Sequence, residues 1–208
     1  YENFDVDGAE AIKAIEKAGE YLSDIVRNGG EILFVGTKKQ AKNIIEDEAI
    51  RCKMHYITER WLGGTLTNFV TIKRSIRRMI QLQKDSESED AWADLTKKEI
   101  LGLLREKEKL ETLHKGIKDM RRLPEAMFIV DAEHEKTALL EAIRLDIPVV
   151  AIADTNSDPN TVDIPIPAND DSYRTVQLIT QSVVDNILGI KPDEQPAEEA
   201  EAEVGTES

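Results

Sequence analysis

Three runs of this chain, EILFVG at 31–36, AMFIVD at 126–131 and PVVAIAD at 148–154, are apolar almost without interruption. A strand with one wet face alternates apolar and polar residues, whereas a strand apolar throughout must be covered on both faces. Segments with helical spacing separate these runs. Glu10 to Arg27 carries Ile12, Ile15, Leu22, Ile25 and Val26 near a helical period and meets a stop at Asn28-Gly29-Gly30. TKKQAKNIIEDEAIR follows the first strand, with Thr37 as its candidate cap. HEKTALLEAIRLD (134–146) follows the second, and SYRTVQLITQSVVDNIL (172–188) runs up to Gly189. KMHYIT (53–58) reads as another strand, and Ile164-Pro165-Ile166 as a short one whose prolines suit a sheet edge. This alternation predicts an α/β fold built on a doubly wound parallel sheet.

Residues 68–122 break the rhythm, because two helical segments stand where one crossover would do. Ile72, Ile76, Met79 and Ile80 form an apolar stripe in the first. Thr96-Lys97-Lys98-Glu99 is a capping box that opens the second, and Ile100, Leu103, Leu110, Leu113, Ile117 and Met120 form its stripe. DSESEDAWADL between them reads as a polar loop. The expectation is an inserted antiparallel helical hairpin, a coiled-coil arm, at 68–122. The α/β domain then comprises 1–67 and 123–190, and the Ala/Glu/Pro-rich tail at 191–208 is expected to be disordered.

Charge is segregated along the chain. The formal net charge is −14, which argues against polyanionic partners if taken as an average. Residues 51–84, however, hold eight Lys/Arg against the single acid Glu59, while the tail holds seven acids against one lysine. The local field decides where a polyanion docks. On a helix starting near Asn68, Lys73, Arg74, Arg77 and Arg78 fall within an arc of about 140 degrees, beside the apolar stripe. A charged strip of this kind is usually only a solvated face. Here no acid interrupts it for more than two turns, and like charges at i,i+4 cost stability that a polyanion would offset. Just upstream, ERWLGGTLTNF places a guanidinium (Arg60) and a stacking plane (Trp61) beside Gly63-Gly64, a combination suited to RNA loops. Lys38, Lys39 and Lys42 form a second basic group.

Other chemistry is poorly represented. ILFVGTKKQ has the strand–glycine–helix outline of a phosphate loop but neither G-x-G-x-x-G nor G-x-x-x-x-G-K-[ST]. Asp154 to Pro159 and Asn169 to Ser172 follow strands and suit either a Mg²⁺ site or the Asx turns and caps that begin helices, with Asp170 or Asp171 as the cap of the last helix. His55, His114 and His134 show no metal spacing, and no G-x-S-x-G elbow occurs. The single cysteine, Cys52, admits no internal disulfide, which fits a reducing compartment, and no stretch is apolar enough to span a membrane. No catalytic residue, metal or cofactor is expected. Two other classes remain: an α/β enzyme holding a phosphorylated substrate at Gly36 and Asp154, and a protein–protein adaptor.

ILFVGTKKQA, ERWLGGTLTNF with TIKRSI, LTKKEI with LREKEKLE, and GIKDM with the run from Leu123 to Pro159 resemble the bacterial-type ribosomal small-subunit protein two family, as do IPANDD and the last helix. The resemblance spans Tyr1 to Gly189. It implies a flavodoxin-like α/β domain with an inserted helical hairpin. It also implies a structural, non-catalytic ribosomal protein. Its implied partners are small-subunit rRNA and neighbouring small-subunit proteins, including the large one built of repeated OB domains, with no membrane or small-molecule substrate among them. Cytoplasmic ribosomes are the implied location, organellar ones being the alternative. Ala168 stands where the family carries glycine, and Thr65 where methionine is frequent. The family's N-terminal G-H-F/L-G-H-like motif and the basic aromatic segment after it have no counterpart here, and Tyr1-Glu2-Asn3-Phe4 align with the end of its first strand. The expected rRNA-binding residues are Arg60, Trp61, Lys73, Arg74, Arg77 and Arg78, followed by Lys38, Lys39 and Lys42. They are chosen by charge and position.

Overall fold

The computed structural model describes residues 8–88, 90–153 and 162–189; the expected tail at 191–208, the Asp154–Pro159 turn and Tyr1–Phe4 lie outside these residues. The elements, in order, are α1 (Gly8–Arg27), β1 (Ile32–Val35), α2 (Lys42–Arg51), β2 (His55–Ile57), α3 (Phe69–Glu87), α4 (Lys97–His114), a 3-10 turn (Lys115–Ile117), β3 (Ala126–Val130), α5 (Lys136–Arg144), β4 (Val149–Ala153), β5 (Ile164–Pro167) and α6 (Tyr173–Leu188). The five strands form one sheet in the order β2-β1-β3-β4-β5, and every neighbouring pair is parallel.

The apolar runs become strands for the anticipated reason. β1, β3 and β4 are buried at every position because both faces of the sheet are covered. Phe34, Phe128, Val150 and Ile164 share one row across the sheet. That row faces Ala18 and Leu22 of α1, Ile44 and Ile45 of α2, and Val176 and Ile179 of α6. Phe34 and Phe128 meet at 5.4 Å between ring centroids. The alternate residues Leu33, Val35, Met127, Ile129, Val149 and Ala151 face Ile72, Ile76 and Met79 of α3 and Ala138, Leu139 and Ala142 of α5. Pro165 and Pro167 lie on the edge strand β5, where an absent N–H costs no ladder bond.

Several local expectations change. Thr37 does not cap α2, which begins only at Lys42; its N–H and its hydroxyl both donate to Glu135 Oε1, at 2.8 and 2.5 Å. The last helix is capped by Ser172, whose Oγ accepts from the Thr175 N–H at 3.3 Å, rather than by Asp170 or Asp171. α3 runs on to Glu87, into the stretch read as loop. The Thr96–Glu99 capping box is present as written. α4 stops at His114, so Ile117 and Met120 reach the core from the segment after it. α3 and α4 are linked side by side, from Ser75–His114 at one end to Ser86–Lys107 at the other. Leu101 and Leu104 on α4 are exposed.

The turn after α4 lies hard against β2. A Cβ on Gly116 would collide with the Tyr56 carbonyl oxygen and stand 2.6 Å from its ring. The nearest obstacle is backbone, so no rotamer change can relieve the clash. G116A is expected to cost about 2 kcal/mol, as other forced overpacking does, and to lower the melting temperature by roughly 5 °C. An unchanged thermal melt would count against this close approach.

Candidate nucleic-acid interface

The basic band begins in the loop from Thr58 to Asn68 that joins β2 to α3. One carboxylate organises this loop. Glu141 of α5 is 8 % exposed, and its Oε1 accepts from Trp61 Nε1 at 3.0 Å and from the Gly64 N–H at 2.7 Å. Its Oε2 accepts from the N–H groups of Leu66 and Thr67, at 2.9 and 3.0 Å, and from the Thr67 hydroxyl at 3.1 Å. Gly64 takes φ +91, a left-handed conformation that turns its N–H to the carboxylate with little steric cost. Burial alone would raise the Glu141 pKa. The donors from Thr67, Trp61, Gly64 and Leu66 outweigh it and hold the carboxyl below the usual 4.5.

This arrangement explains the Trp-Leu-Gly-Gly composition. The loop is an anion-binding nest whose anion is the chain's own glutamate. Trp61, expected as a stacking plane for bases, is buried among core residues such as Ile57 and Leu66, with its indole N–H committed to Glu141. Glu141 is a functional residue absent from the sequence-based expectations. The available signal was an acid three residues from Ala138 and adjacent to Ala142, on the apolar face of α5.

The clamp sets the start of α3 and thereby the direction of its cations. Ile72, Ile76, Met79 and Leu82 are buried, so Lys73, Arg74 and Arg77 lie away from the core. Lys73 Nζ sits 4.9 Å from the centroid of the Phe69 ring. Arg74 and Arg77 are exposed and have no carboxylate partner among the described residues. Arg78 is turned towards α4 and grips Glu106 with two 2.9 Å bonds, which hold the carboxyl of Glu106 below its usual range. Arg60 is exposed beside Trp61.

The second basic group behaves differently. Lys39 is exposed, and Lys42 pairs with Glu59 at 2.8 Å. Lys38 points inward, 2.8 Å from Asp131, 2.9 Å from Asp170 and 2.5 Å from Asp171. Burial opposes its charge, but the bonds to the three aspartates raise its pKa well above the ordinary lysine value. Lys38 and Asp131 follow the carboxyl ends of β1 and β3, where the strand order reverses and doubly wound sheets hold their ligands, and Asp170 and Asp171 reach them from the end of β5. Here the lysine that a phosphate would require is taken up by carboxylates. Gly36 has a packing reason of its own, since a Cβ there would come within 2.8 Å of Ile45. Cys52 is buried, and burial pushes its thiol up to about 11, so it is a protonated thiol at neutral pH.

No helix of the described residues is long and apolar enough to cross a membrane. Compared with known protein families, the chain matches the family described as ribosomal protein S2, over residues 5–189.

Proposed function

This chain belongs to the ribosomal protein S2 family, whose members are structural components of the small ribosomal subunit, and from that premise we propose that it binds small-subunit rRNA through the solvent face of α3. The strip consists of Lys73, Arg74 and Arg77, with Arg60 at its base and Lys39 as a more distant contact. The observation that carries the reading is that Arg74 and Arg77 are exposed and have no carboxylate partner among the described residues, in a chain where acids outnumber bases 41 to 27. Contacts of this kind position a protein on RNA without reading sequence. Trp61, Lys38, Lys42 and Arg78 each have intramolecular partners and serve the interface by holding its frame.

In the same reading the sheet, ordered β2-β1-β3-β4-β5, is flavodoxin-like. α3 and α4 form an inserted antiparallel hairpin that acts as an arm, 68–122, on an α/β domain made of 1–67 and 123–190. Neighbouring small-subunit proteins, including the large multi-OB-domain protein, are its protein partners. No catalysis is assigned to it.

The test is binding to small-subunit particles depleted of this protein, across a salt series. Each phosphate contact contributes roughly 0.7–0.9 to the slope of log affinity against log salt, so R74Q/R77Q should flatten the slope by about 1.4 to 1.8 and weaken binding on the order of tenfold. A folded double variant with wild-type affinity and slope would place the RNA surface elsewhere.

A further inference from the structure

A second basic surface lies on the other helix of the pair. Arg60 of the β2–α3 loop faces Arg105 and Lys109 of α4 across a cleft of about 510 Å³, with Leu62 and Leu113 in its lining. Arg105 and Lys109 stand four residues apart, so on a helix they are neighbours of like charge and repel one another. Glu108 lines the same cleft, but none of the three cations has a carboxylate partner among the described residues. Elsewhere on this acidic chain Arg51, Arg78, Lys107 and Lys115 all find one. Arg60 and Leu62 flank Trp61, which the Glu141 clamp holds, so this wall of the cleft is set before any ligand arrives.

We propose that the cleft between the β2–α3 loop and α4 is a second RNA-binding site, in which Arg60, Arg105 and Lys109 hold backbone phosphates and Leu62 and Leu113 pack against a ribose or base. This rests on the reading of the chain as an rRNA-binding protein. The charge pattern favours RNA because two guanidinium groups and an amine are spread around one opening, which matches successive phosphates. The apolar lining adds what a solvated charge strip lacks. The two-helix element would then be gripped at α3 and at α4.

The experiment uses the intact chain with particles depleted of it. R105Q/K109Q should bind about tenfold more weakly, with a salt slope shallower by roughly 1.4 to 1.8, and should melt like wild type because both side chains are exposed. Because Cys52 is buried and is the only cysteine, a T112C variant takes an iron–chelate label at the cleft, and hydroxyl-radical cuts in the rRNA chain are expected. Wild-type affinity and slope for R105Q/K109Q would overturn the proposal. So would label damage confined to a protein, which would assign the cleft to an acidic protein partner. If R105Q/K109Q binds normally and R74Q/R77Q does not, the cleft fails and the α3 strip stands. The reverse pattern removes the strip and keeps the cleft.

Discussion

Replacing Glu141 by alanine is expected to destabilise this protein by about 3–5 kcal/mol, the usual cost of leaving several buried donors without their charged acceptor. The substitution removes the partner of five donors at once. The Trp61 indole and the Leu66 N–H are the critical ones, because both bonds are buried and water cannot replace the carboxylate. With a total stability on the order of 5–15 kcal/mol, the melting temperature should fall by roughly 10 °C. E141Q keeps the shape but turns an NH₂ group towards N–H donors, so it should recover little. The wild type carries a matching pH dependence. Because the folded pKa of Glu141 lies below its ordinary value of 4.5, its contribution is complete above that value and is lost as pH falls through the lower, folded one. Urea unfolding of wild type and E141A at pH 7 and at pH 3.5 checks both statements. The gap between the two proteins should narrow at the acid pH. Equal stability at pH 7 would show that the nest does not depend on its anion.

The second large effect is expected at Lys38. K38M leaves Asp131 and Asp170, both largely buried, beside each other without a cation. Breaking a buried pair from one side costs about 3–5 kcal/mol. In the wild type the raised Lys38 pKa means that its stabilisation is present at neutral pH and is lost only as pH climbs through the folded value. The carboxylates respond unequally. Burial already pushes Asp170 up from 3.8, whereas Asp131, although burial opposes it, is held down by Lys38 and the His134 N–H. Without Lys38, Asp170 should take up a proton first. The loss in K38M should therefore be largest at pH 7 and smaller at pH 5, and D170N should partly rescue the variant. Chemical denaturation of the single and double variants at both pH values decides the matter. An identical loss at the two pH values, or no rescue by D170N, would argue against an electrostatic cluster.

These two sites mark where local reading ends. The Gly-rich loop and the lysine after β1 both stand out as phosphate chemistry in the sequence, and both prove to hold carboxylates of the same chain. Their residue types suit an anion in either case. Which anion arrives depends on partners 80 residues away for Trp61 and 132 residues away for Lys38. Thr37 tells the same story, since it has the chemistry of a cap but its hydroxyl is taken by Glu135, 98 residues on. The strip on α3 was partly legible. Periodicity places Lys73, Arg74, Arg77 and Arg78 on one side of the helix, but only the position of α4 separates Arg78, paired with Glu106, from Arg74 and Arg77, which have no carboxylate partner among the described residues. The cleft of Arg60, Arg105 and Lys109 joins residues from two elements, and no window of the sequence contains it.

The α/β class, the two-sided burial of the strands, the edge position of the proline strand and the basic band on an acidic background all follow from local residue patterns. Apolar period, proline and charge act over a few residues, so they are legible without knowledge of the fold. Which charges meet, and which are left without a carboxylate among the described residues, is a property of the folded chain. That choice depends on the parallel strand order, which gathers the ends of β1, β3 and β5 and sets α5 beneath the Gly-rich loop. An ionic or hydrogen bond forms only where geometry brings donor and acceptor within about 3 Å, and sequence separation carries no information about that distance.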